Sequence, residues 1–315
     1  MTAAALLLAV GTSLAWAGFD ATRKALTPHV PAVPLVALFC LGQVPFFALW
    51  LAIDGVPEIQ DGYAIAGVIT VVLNIAANLL FVRAVFVSPL SVTIPLLSLT
   101  PVFTALIAMP LVGEFPLPLQ WVGILAVVGG AFCINAEPSD LRHPGRLLRS
   151  LVREKGALFM GIVALLWSVT STVDKLGMER SSAPLHALVQ VGGVAAGMLL
   201  VLAFQRRLAS LGAVRKRPGT FVATILLAVA ALGLQLLAYA LLFVSIVEAI
   251  KRAIGMTAAL VIGRISFGER IGLVRIVAVL VMGAGTALIL LAEPEEEGTP
   301  ELTAATGAVV TAPAP

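Results

Sequence analysis

Ten long apolar stretches constrain this chain more than any other feature of its sequence. A helix that crosses the hydrocarbon core of a bilayer, about 30 Å thick, needs about 20 predominantly apolar residues. The stretches are of that length, and they show no alternation with a period of two, which argues against membrane β-strands. The sequence therefore predicts an all-α integral membrane protein with ten transmembrane helices, a multi-pass protein of the cell (plasma) membrane. The predicted spans are residues 2–19, 33–53, 63–85, 90–112, 117–136, 157–173, 184–204, 220–244, 247–267 and 271–292.

Composition excludes the soluble classes of protein. Apolar residues make up 60% of the chain and charged residues 12%, with a mean hydropathy of +1.05, whereas a soluble protein has about 25% charged residues. The net charge is only +3, and no aromatic-interleaved basic stripe of the kind that binds nucleic acid is present. Cys40 and Cys133 lie in apolar runs and are interpreted as small hydrophobic residues rather than as a disulfide framework. A cytosolic enzyme, a nucleic-acid-binding protein and a secreted disulfide scaffold are thus excluded.

Internal similarity indicates that the chain arose by duplication. Trp16 in the first half corresponds to Trp167 in the second, and Asn78 corresponds to Gln235. Each half contains five predicted helices, and an odd number places the second half in the membrane with the opposite orientation. The fold expected is therefore two inverted five-helix repeats, with a substrate site between them near the midplane. The predicted units are a first repeat at 1–136, a basic connecting loop at 137–156, a second repeat at 157–292 and a disordered acidic tail at 293–315.

The distribution of lysine and arginine predicts the orientation of the chain. The connections 137–156 and 205–219 carry ten of the 20 basic residues. Because cytoplasmic loops carry an excess of positive charge, these connections are expected in the cytoplasm and both termini outside.

Several short segments resemble those of a known family. The first half contains NLLFVRA at 78–84, SPLSVTIP at 88–95, LTPVFTA at 99–105, GE at 113–114 and QWVG at 120–123; the second contains AIKR at 249–252 and FGER at 267–270. In their order and spacing these segments resemble the drug/metabolite transporter superfamily, in its EamA-like branch of ten-helix transporters. The resemblance implies two five-helix domains and secondary transport, with export as the direction. Members with both termini in the cytoplasm are common, so the resemblance also implies an orientation opposite to that of the charge count.

Missing motifs narrow the mechanism. The sequence has no GxxxxGK[ST] phosphate-binding loop and no HExxH motif. The three histidines, His29, His143 and His186, fall in loops or at helix ends. We therefore expect no cofactor, no metal site and no enzymatic activity, and we expect secondary or facilitated transport rather than ATP-driven transport.

Uncharged polar side chains within the predicted spans mark a candidate substrate-binding site. Asn74 and Asn78 share one face of the third span, and Gln235 and Tyr239 share one face of the eighth. Polar residues inside a membrane are functional candidates by default. They can bind and release a polar solute, or they can join helices through hydrogen bonds of about 1 kcal/mol, and the sequence leaves both roles open.

Three cations are further candidate substrate-binding residues. Glu248 lies four residues before Arg252 and is expected to pair with it, which leaves Lys251 on a different face of the helix. A cation that lines a cavity attracts a carboxylate or a phosphate. Lys251, Arg252 and Arg83 are therefore candidates, although each of them can instead extend from a helix end to the lipid headgroups.

Trp16 and Trp167 complete the set of candidate substrate-binding residues. Each indole can stack on a substrate ring, or it can fill the packed interior of the bundle.

Other residues are expected to be structural. Lys24 and Lys175 are expected to complement the dipole at helix C-termini, and Glu114 and Glu269 the dipole at helix N-termini. Pro95 and Pro101 are expected to open the fourth span. Gly193 and Gly197, spaced four apart, allow a close helix contact, within one protomer or in a homodimer.

These observations predict a transporter of small polar metabolites that works by alternating access. Proton-coupled exporters of organic cations in the superfamily carry an acidic residue in the middle of the first helix, whereas Asp20 lies near the end of the first span. A zwitterionic or anionic solute such as an amino acid is therefore favoured. The expected partners are this solute and membrane lipid, with a homodimer as one arrangement and no nucleic acid. A lipid-head-group carrier, a nucleotide-sugar carrier and a membrane scaffold without transport stay open as alternatives. A membrane-embedded enzyme would need clustered Asp or His residues at a headgroup interface.

Overall fold

The computed structural model describes residues 2–88, 94–135, 154–267 and 272–292, and these residues form α-helices joined by short connections, with no strand among them. Two 3₁₀ segments, Ile94–Leu99 and Leu208–Lys216, precede the fourth and eighth helices. The ten α-helices of the described residues are α1 (Ala3–Leu26), α2 (Ala32–Asp54), α3 (Tyr63–Val87), α4 (Thr100–Val112), α5 (Pro118–Asn135), α6 (Lys155–Glu179), α7 (Ala183–Phe204), α8 (Pro218–Leu241), α9 (Val244–Phe267) and α10 (Leu273–Leu291).

Length and composition indicate which of these helices can cross a membrane. Seven described helices are long and apolar enough to do so, namely α1, α2, α3, α6, α7, α8 and α10. Shorter apolar helices occupy Leu96–Val112 and Pro118–Ile134. The predicted all-α, multi-pass membrane fold is therefore confirmed, whereas the number of ten spans stays a prediction.

Local sequence explains where several helices begin and end. The side-chain oxygen of Thr2 accepts the Ala5 N–H at 3.3 Å, and that of Ser182 accepts the Leu185 N–H at 3.4 Å, so both residues cap helix N-termini. Gly113 ends α4 with a φ of 69°, a left-handed conformation that glycine adopts without a steric penalty. Pro101 lies in the first turn of α4, where its missing N–H costs nothing. The fourth predicted span is therefore divided at Thr100 into a 3₁₀ segment and an α-helix, in line with the opening expected from its prolines.

The two halves of the chain pack against each other helix by helix. Helix α1 lies along α8, α3 along α6, α2 along α7, and α5 along α10. The hydroxyl of Thr12 on α1 donates to the carbonyl of Ala231 on α8 at 2.8 Å, and the Gly156 N–H at the start of α6 donates to Ser88 at the end of α3 at 3.2 Å. Each of these pairs joins a helix of the first half to one of the second.

Glycines make two helix contacts close, one between α5 and α10 and one between α7 and α3. A Cβ atom on Gly123 of α5 would lie 2.5 Å from the carbonyl oxygen of Gly285 on α10, so the two backbones touch there. On α7, Gly193 packs against Val71 and Gly197 packs against Ile75, both on α3. The close contact expected from the spacing of Gly193 and Gly197 therefore forms within one protomer.

Both ends of the described chain lie at one face of the bundle, here called the terminal face. Helix α1 begins there and α10 ends there, and the Gln120 side chain at the start of α5 donates to the Ala292 carbonyl at 3.3 Å. The opposite face, here called the basic face, holds the 3₁₀ segment Leu208–Lys216. Which of the two faces lies in the cytoplasm stays a prediction.

Two helices extend beyond the ends of their predicted spans. Helix α1 continues to Leu26 rather than ending at residue 19, and α6 continues to Glu179 rather than ending at residue 173. The sequence prediction ended both spans just before an aspartate, since an isolated charge is costly in lipid. In the structure Asp20 and Asp174 have partners, so the helices continue through them. Most of the loop predicted at 137–156, the tail at 293–315 and Glu269 lie outside the described residues.

Candidate functional site

Gln235 joins three helices at the centre of the candidate site. Its Oε1 atom accepts a hydrogen bond from Trp16 Nε1 on α1 and another from Lys251 Nζ on α9, both at 2.8 Å. The Lys251 ammonium also lies 5.5 Å from the centre of the Trp16 ring, within the range of a cation–π interaction. The structure thus brings together three of the predicted site residues.

Glu248 is the buried carboxylate of this site, with 3% of its surface exposed. Its Oε1 atom accepts hydrogen bonds from Lys251, from the Tyr239 hydroxyl at 2.8 Å and from Ser171 on α6 at 3.4 Å. The expectation that Glu248 pairs with Arg252 and leaves Lys251 unpaired is therefore wrong. Positions three residues apart also share a helix face, and Gln235 holds the Lys251 ammonium beside the carboxylate. We call Trp16, Gln235, Tyr239, Glu248, Lys251 and Arg252 the central site.

Arg252 is the cation with unused donor capacity in the central site. Its Nε atom is buried and has no hydrogen-bond partner among the described residues. The guanidinium group interacts electrostatically with Glu248 and with Asp20 on α1. A buried N–H group without a partner is costly, and the guanidinium fork matches the geometry of a carboxylate or a phosphate. The arrangement can therefore bind an anionic group.

A row of aromatic rings connects the two predicted tryptophans. Trp16 meets Phe19 edge to face at 5.4 Å, and Phe81 on α3 lies 5.8 Å from Trp167 on α6. The Arg23 guanidinium bridges the row, since it lies 5.2 Å from the Phe19 ring and 5.6 Å from the Phe81 ring. Trp16 and Trp167 therefore belong to one wall of the bundle interior, which we call the aromatic row. Arg23 and Phe81 were not predicted as site residues.

Arg23 also forms an ion pair within α1. Its guanidinium lies 2.8 Å from the carboxylate of Asp20, which is mostly exposed. The pair places a second cation and a second carboxylate beside the aromatic row.

The asparagines of α3 bond chiefly to their own helix. Asn78 Nδ2 donates to the Asn74 carbonyl at 2.9 Å, and Asn74 Nδ2 donates to the Thr70 carbonyl at 3.0 Å. Among the described residues, neither amide forms a hydrogen bond to another helix, so these asparagines do not join helices there. Within the same described residues, their side-chain carbonyl oxygens accept no hydrogen bond.

Arg83 lies apart from the central site. It is exposed near the end of α3, and its guanidinium is 5.9 Å from the Phe159 ring. It lines a groove of about 680 Å³ at the surface, which is otherwise formed by apolar residues of α3 together with Ala32. This position matches a side chain that extends to the headgroups.

A second polar cluster, which sequence reasoning missed, joins α3, α6 and α7. Asp174 on α6 accepts hydrogen bonds from Thr70 and, at 3.2 Å, from Gln190, and it lies 3.1 Å from His186 Nε2. We call these four residues the Asp174 cluster. The predicted sixth span ended at residue 173, so the carboxylate fell outside the residues considered, and His186 was interpreted as a helix-end residue. The signal available was an aspartate next to a lysine at the end of an apolar stretch.

Glu114 links the two halves at the terminal face. Its carboxylate accepts from Lys175 Nζ on α6 and from the Val244 N–H at the start of α9, both at 2.7 Å. Burial raises the pKa of the Glu114 carboxyl, and its hydrogen bond and attraction to Lys175 oppose that rise. Glu114 thus complements the N-terminus of α9 rather than that of its own helix, and Lys175 pairs with a carboxylate rather than with a helix C-terminus. Among the described residues, no group of three or more His, Cys, Asp and Glu side chains can hold a metal ion.

Comparison with known proteins bears on the first half of the chain and on the whole fold. Residues 3–136 match the EamA-like transporter family. The match confirms the resemblance seen in the sequence, and the matched family is one of membrane transporters. Among the solved structures that match, one crystal structure has a TM-score of 0.70 over 92% of this chain and 98% of its own, at 16% sequence identity, which shows a shared fold. A search of curated proteins found no match.

Proposed function

We propose that this protein is a secondary transporter of small zwitterionic or anionic metabolites, of which amino acids are the leading class. The observation that carries this proposal is Arg252, whose buried Nε–H donor has no partner among the described residues, beside the Glu248–Lys251 pair. A carboxylate on the substrate supplies the missing acceptor.

The charges around the aromatic row support a substrate with a carboxylate. Lys251 is paired with Glu248, and Arg23 is paired with Asp20. Arg252 is then the excess cation of these five residues. The indoles of Trp16 and Trp167 provide apolar surface for the rest of the solute.

The Glu248–Lys251 pair suits a site that holds substrate at one stage of transport and is empty at another. Without substrate, the two charges neutralise each other, so neither is buried alone. With a zwitterion bound, the substrate ammonium replaces Lys251 on Glu248, while the substrate carboxylate binds Lys251 and Arg252. Each state keeps Glu248 and Lys251 beside an opposite charge.

The way the halves meet supports alternating access as the mechanism. Helices α1, α2, α3 and α5 each pack against a helix of the second half, and the central site draws on both halves. A rocking of one half against the other exposes the site to one face at a time, as in transporters built from inverted repeats. Export is the direction that the family resemblance favours.

The test is exchange of labelled solutes in liposomes that contain the purified protein. Vesicles loaded with one unlabelled amino acid are expected to take up its labelled form. Arg252→Gln is expected to raise the KM for exchange by about tenfold or more, because a hydrogen bond to a charged group contributes about 1.5–3 kcal/mol. Arg215→Gln, in the exposed connection before α8, is the matched control and should behave as wild type. Silence across a panel of amino acids, or an unchanged KM in the Arg252 variant, refutes the proposal.

The groove beside Arg83 favours one second candidate, a carrier of lipid head groups. An apolar groove at the bundle surface with an arginine in its lining suits an acyl chain and a phosphate. The same liposomes can report transfer of fluorescent phospholipid between leaflets. Transfer by the wild type that is lost in Arg83→Gln would favour this second function, provided that the wild type exchanges no amino acids.

A further inference from the structure

Asp174 and His186 form a buried acid–imidazole pair that the central site does not use. Asp174 is 2% exposed and His186 is fully buried, with 0% exposed. Asp174 Oδ1 accepts from the Thr70 hydroxyl and lies 3.1 Å from His186 Nε2, while Asp174 Oδ2 accepts from Gln190 at 3.2 Å. Three neighbouring side chains therefore converge on one carboxylate inside the bundle.

No lysine or arginine compensates this carboxylate among the described residues. The adjacent Lys175 pairs with Glu114 instead, and His186 is the ionisable partner of Asp174. His186 Nδ1 is buried and has no hydrogen-bond partner in the same part of the chain. When Nε2–H donates to Asp174, Nδ1 is an unoccupied acceptor, and a proton bound there makes the pair neutral overall.

The other titratable groups near the pair come from every side of the bundle. Helix α3 contributes Tyr63, whose ring lies 6.0 Å from the imidazole. Helix α8 contributes Tyr239, which interacts electrostatically with Asp174. Helix α9 contributes Glu248, which Lys251 neutralises. Helix α2 carries the Cys40 thiol and, at its exposed end, Asp54, while α4 and the segment Ile94–Leu99 carry no ionisable side chain.

A short route on α6 connects this pair to the central site, and a hydrogen bond on α3 connects it to Asn74. On α6, Asp174 lies three residues after Ser171, which bonds to Glu248. On α3, the side chain of Asn74 donates to the Thr70 hydroxyl at 3.3 Å, and that hydroxyl donates to Asp174. The charge of the pair therefore lies one turn of α6 from a hydrogen-bond partner of Glu248, and one turn of α3 from Asn74.

We propose that the Asp174–His186 pair is the proton-binding site that couples solute movement to a pH gradient. Carboxylates and histidines inside membrane bundles serve as proton relays in transporters, and gain or loss of one proton changes the net charge of a desolvated site by one unit. This inference rests on the proposed function, because it requires a transported solute.

The experiment separates exchange from proton-driven accumulation. Liposomes hold the wild-type protein with an imposed gradient of one pH unit, and potassium with valinomycin clamps the membrane potential at zero. One coupled proton then drives about tenfold accumulation of the labelled amino acid, because about 1.4 kcal/mol corresponds to a factor of ten. Asp174→Asn and His186→Gln are expected to exchange solute as wild type does, while their accumulation ratio falls to about one. Asp54→Asn, at the exposed end of α2, should keep full accumulation.

Thr70→Val keeps both titrating groups and tests the site if the other variants do not fold. The ionised carboxylate loses a donor, so the protonated form is favoured. The pH of half-maximal accumulation is expected to move upward, which a purely structural role for Thr70 would not produce.

The outcomes separate this inference from the function on which it rests. Absence of exchange in the wild type refutes the transport function. Normal exchange without proton-driven accumulation in the wild type refutes the coupling site, as do wild-type accumulation in Asp174→Asn and an unchanged pH midpoint in Thr70→Val.

Discussion

The central site and the Asp174 cluster each hold a carboxylate that is almost completely buried, but the partners of the two carboxylates differ. Glu248 is held by the Lys251 ammonium and the Tyr239 hydroxyl, whereas Asp174 is held by the His186 imidazole together with Thr70 and Gln190. An ammonium keeps its charge through the physiological range of pH, while an imidazole changes charge within that range. Burial alone therefore does not decide which carboxylate can respond to a proton; the chemistry of the partner does.

The largest expected effect comes from removing the cation that pairs with Glu248. Lys251→Met breaks this buried ion pair, which should lower the free energy of unfolding by about 3–5 kcal/mol. Thermal unfolding of the protein purified in detergent measures the loss. His186→Gln, the parallel change in the Asp174 cluster, should lower the free energy of unfolding by about 1 kcal/mol, because it removes one hydrogen bond and no permanent charge.

The double variant Glu248→Gln with Lys251→Met distinguishes the charge from the packing of these side chains. It should recover most of the lost stability, because position 248 then no longer carries a buried charge that needs Lys251. Equal losses in Lys251→Met and His186→Gln would contradict the comparison.

An intermediate effect is expected from Gly177→Ala on α6. A Cβ atom there would lie 2.4 Å from His186 Cε1 and Nδ1, so the imidazole must shift from its present position beside Asp174. Overpacking of this kind costs about 1–3 kcal/mol. Proton-driven accumulation in liposomes should be lost, while exchange at the central site continues.

Gly161→Ala is the matched control on the same helix. Nothing lies within 4 Å of a Cβ atom at that position, and alanine is the better helix former by about 1 kcal/mol. Stability should be equal or higher, with full accumulation. If both variants accumulate solute equally, the position of His186 does not matter for coupling.

The smallest effect is expected at the hydroxyls that reach Glu248. Tyr239→Phe removes a hydrogen bond of 2.8 Å and should lower the free energy of unfolding by about 1 kcal/mol, whereas Ser171→Ala removes one of 3.4 Å and should cost about 0.5 kcal/mol or less. The same unfolding assay ranks the two. The reverse order would show that Ser171, on the side of Asp174, is the more important ligand of Glu248.

The sequence predicted the all-α membrane fold and led to three residues of the candidate site, because both depend on patterns that survive in the residue order. Apolar length predicted the helices, and the repeat landmarks led to Trp16, Trp167 and Gln235. The structure places the first two in one aromatic row and the third in the central site.

What the sequence could not predict depends on which side chains meet in space. Spacing allowed Glu248 to pair with Lys251 or with Arg252, and only the position of Gln235 on another helix favours Lys251. Asp174 was missed because a charge at the end of an apolar stretch has the same pattern as a charge at a membrane surface. Its partners Thr70 and His186 lie 104 and 12 residues away along the chain.

Gly123 and Gly285 restrict how this chain can vary over generations. Their backbones touch. A Cβ atom on Gly285 would lie 2.7 Å from the carbonyl oxygen of Gly123, and a Cβ atom on Gly123 would lie 2.5 Å from the carbonyl oxygen of Gly285. Even alanine at either position would force the first half away from the second, and no change at the other position can compensate, since glycine has nothing left to remove. These two sites are therefore expected to stay fixed in descendants of this sequence while the side chains around them diverge.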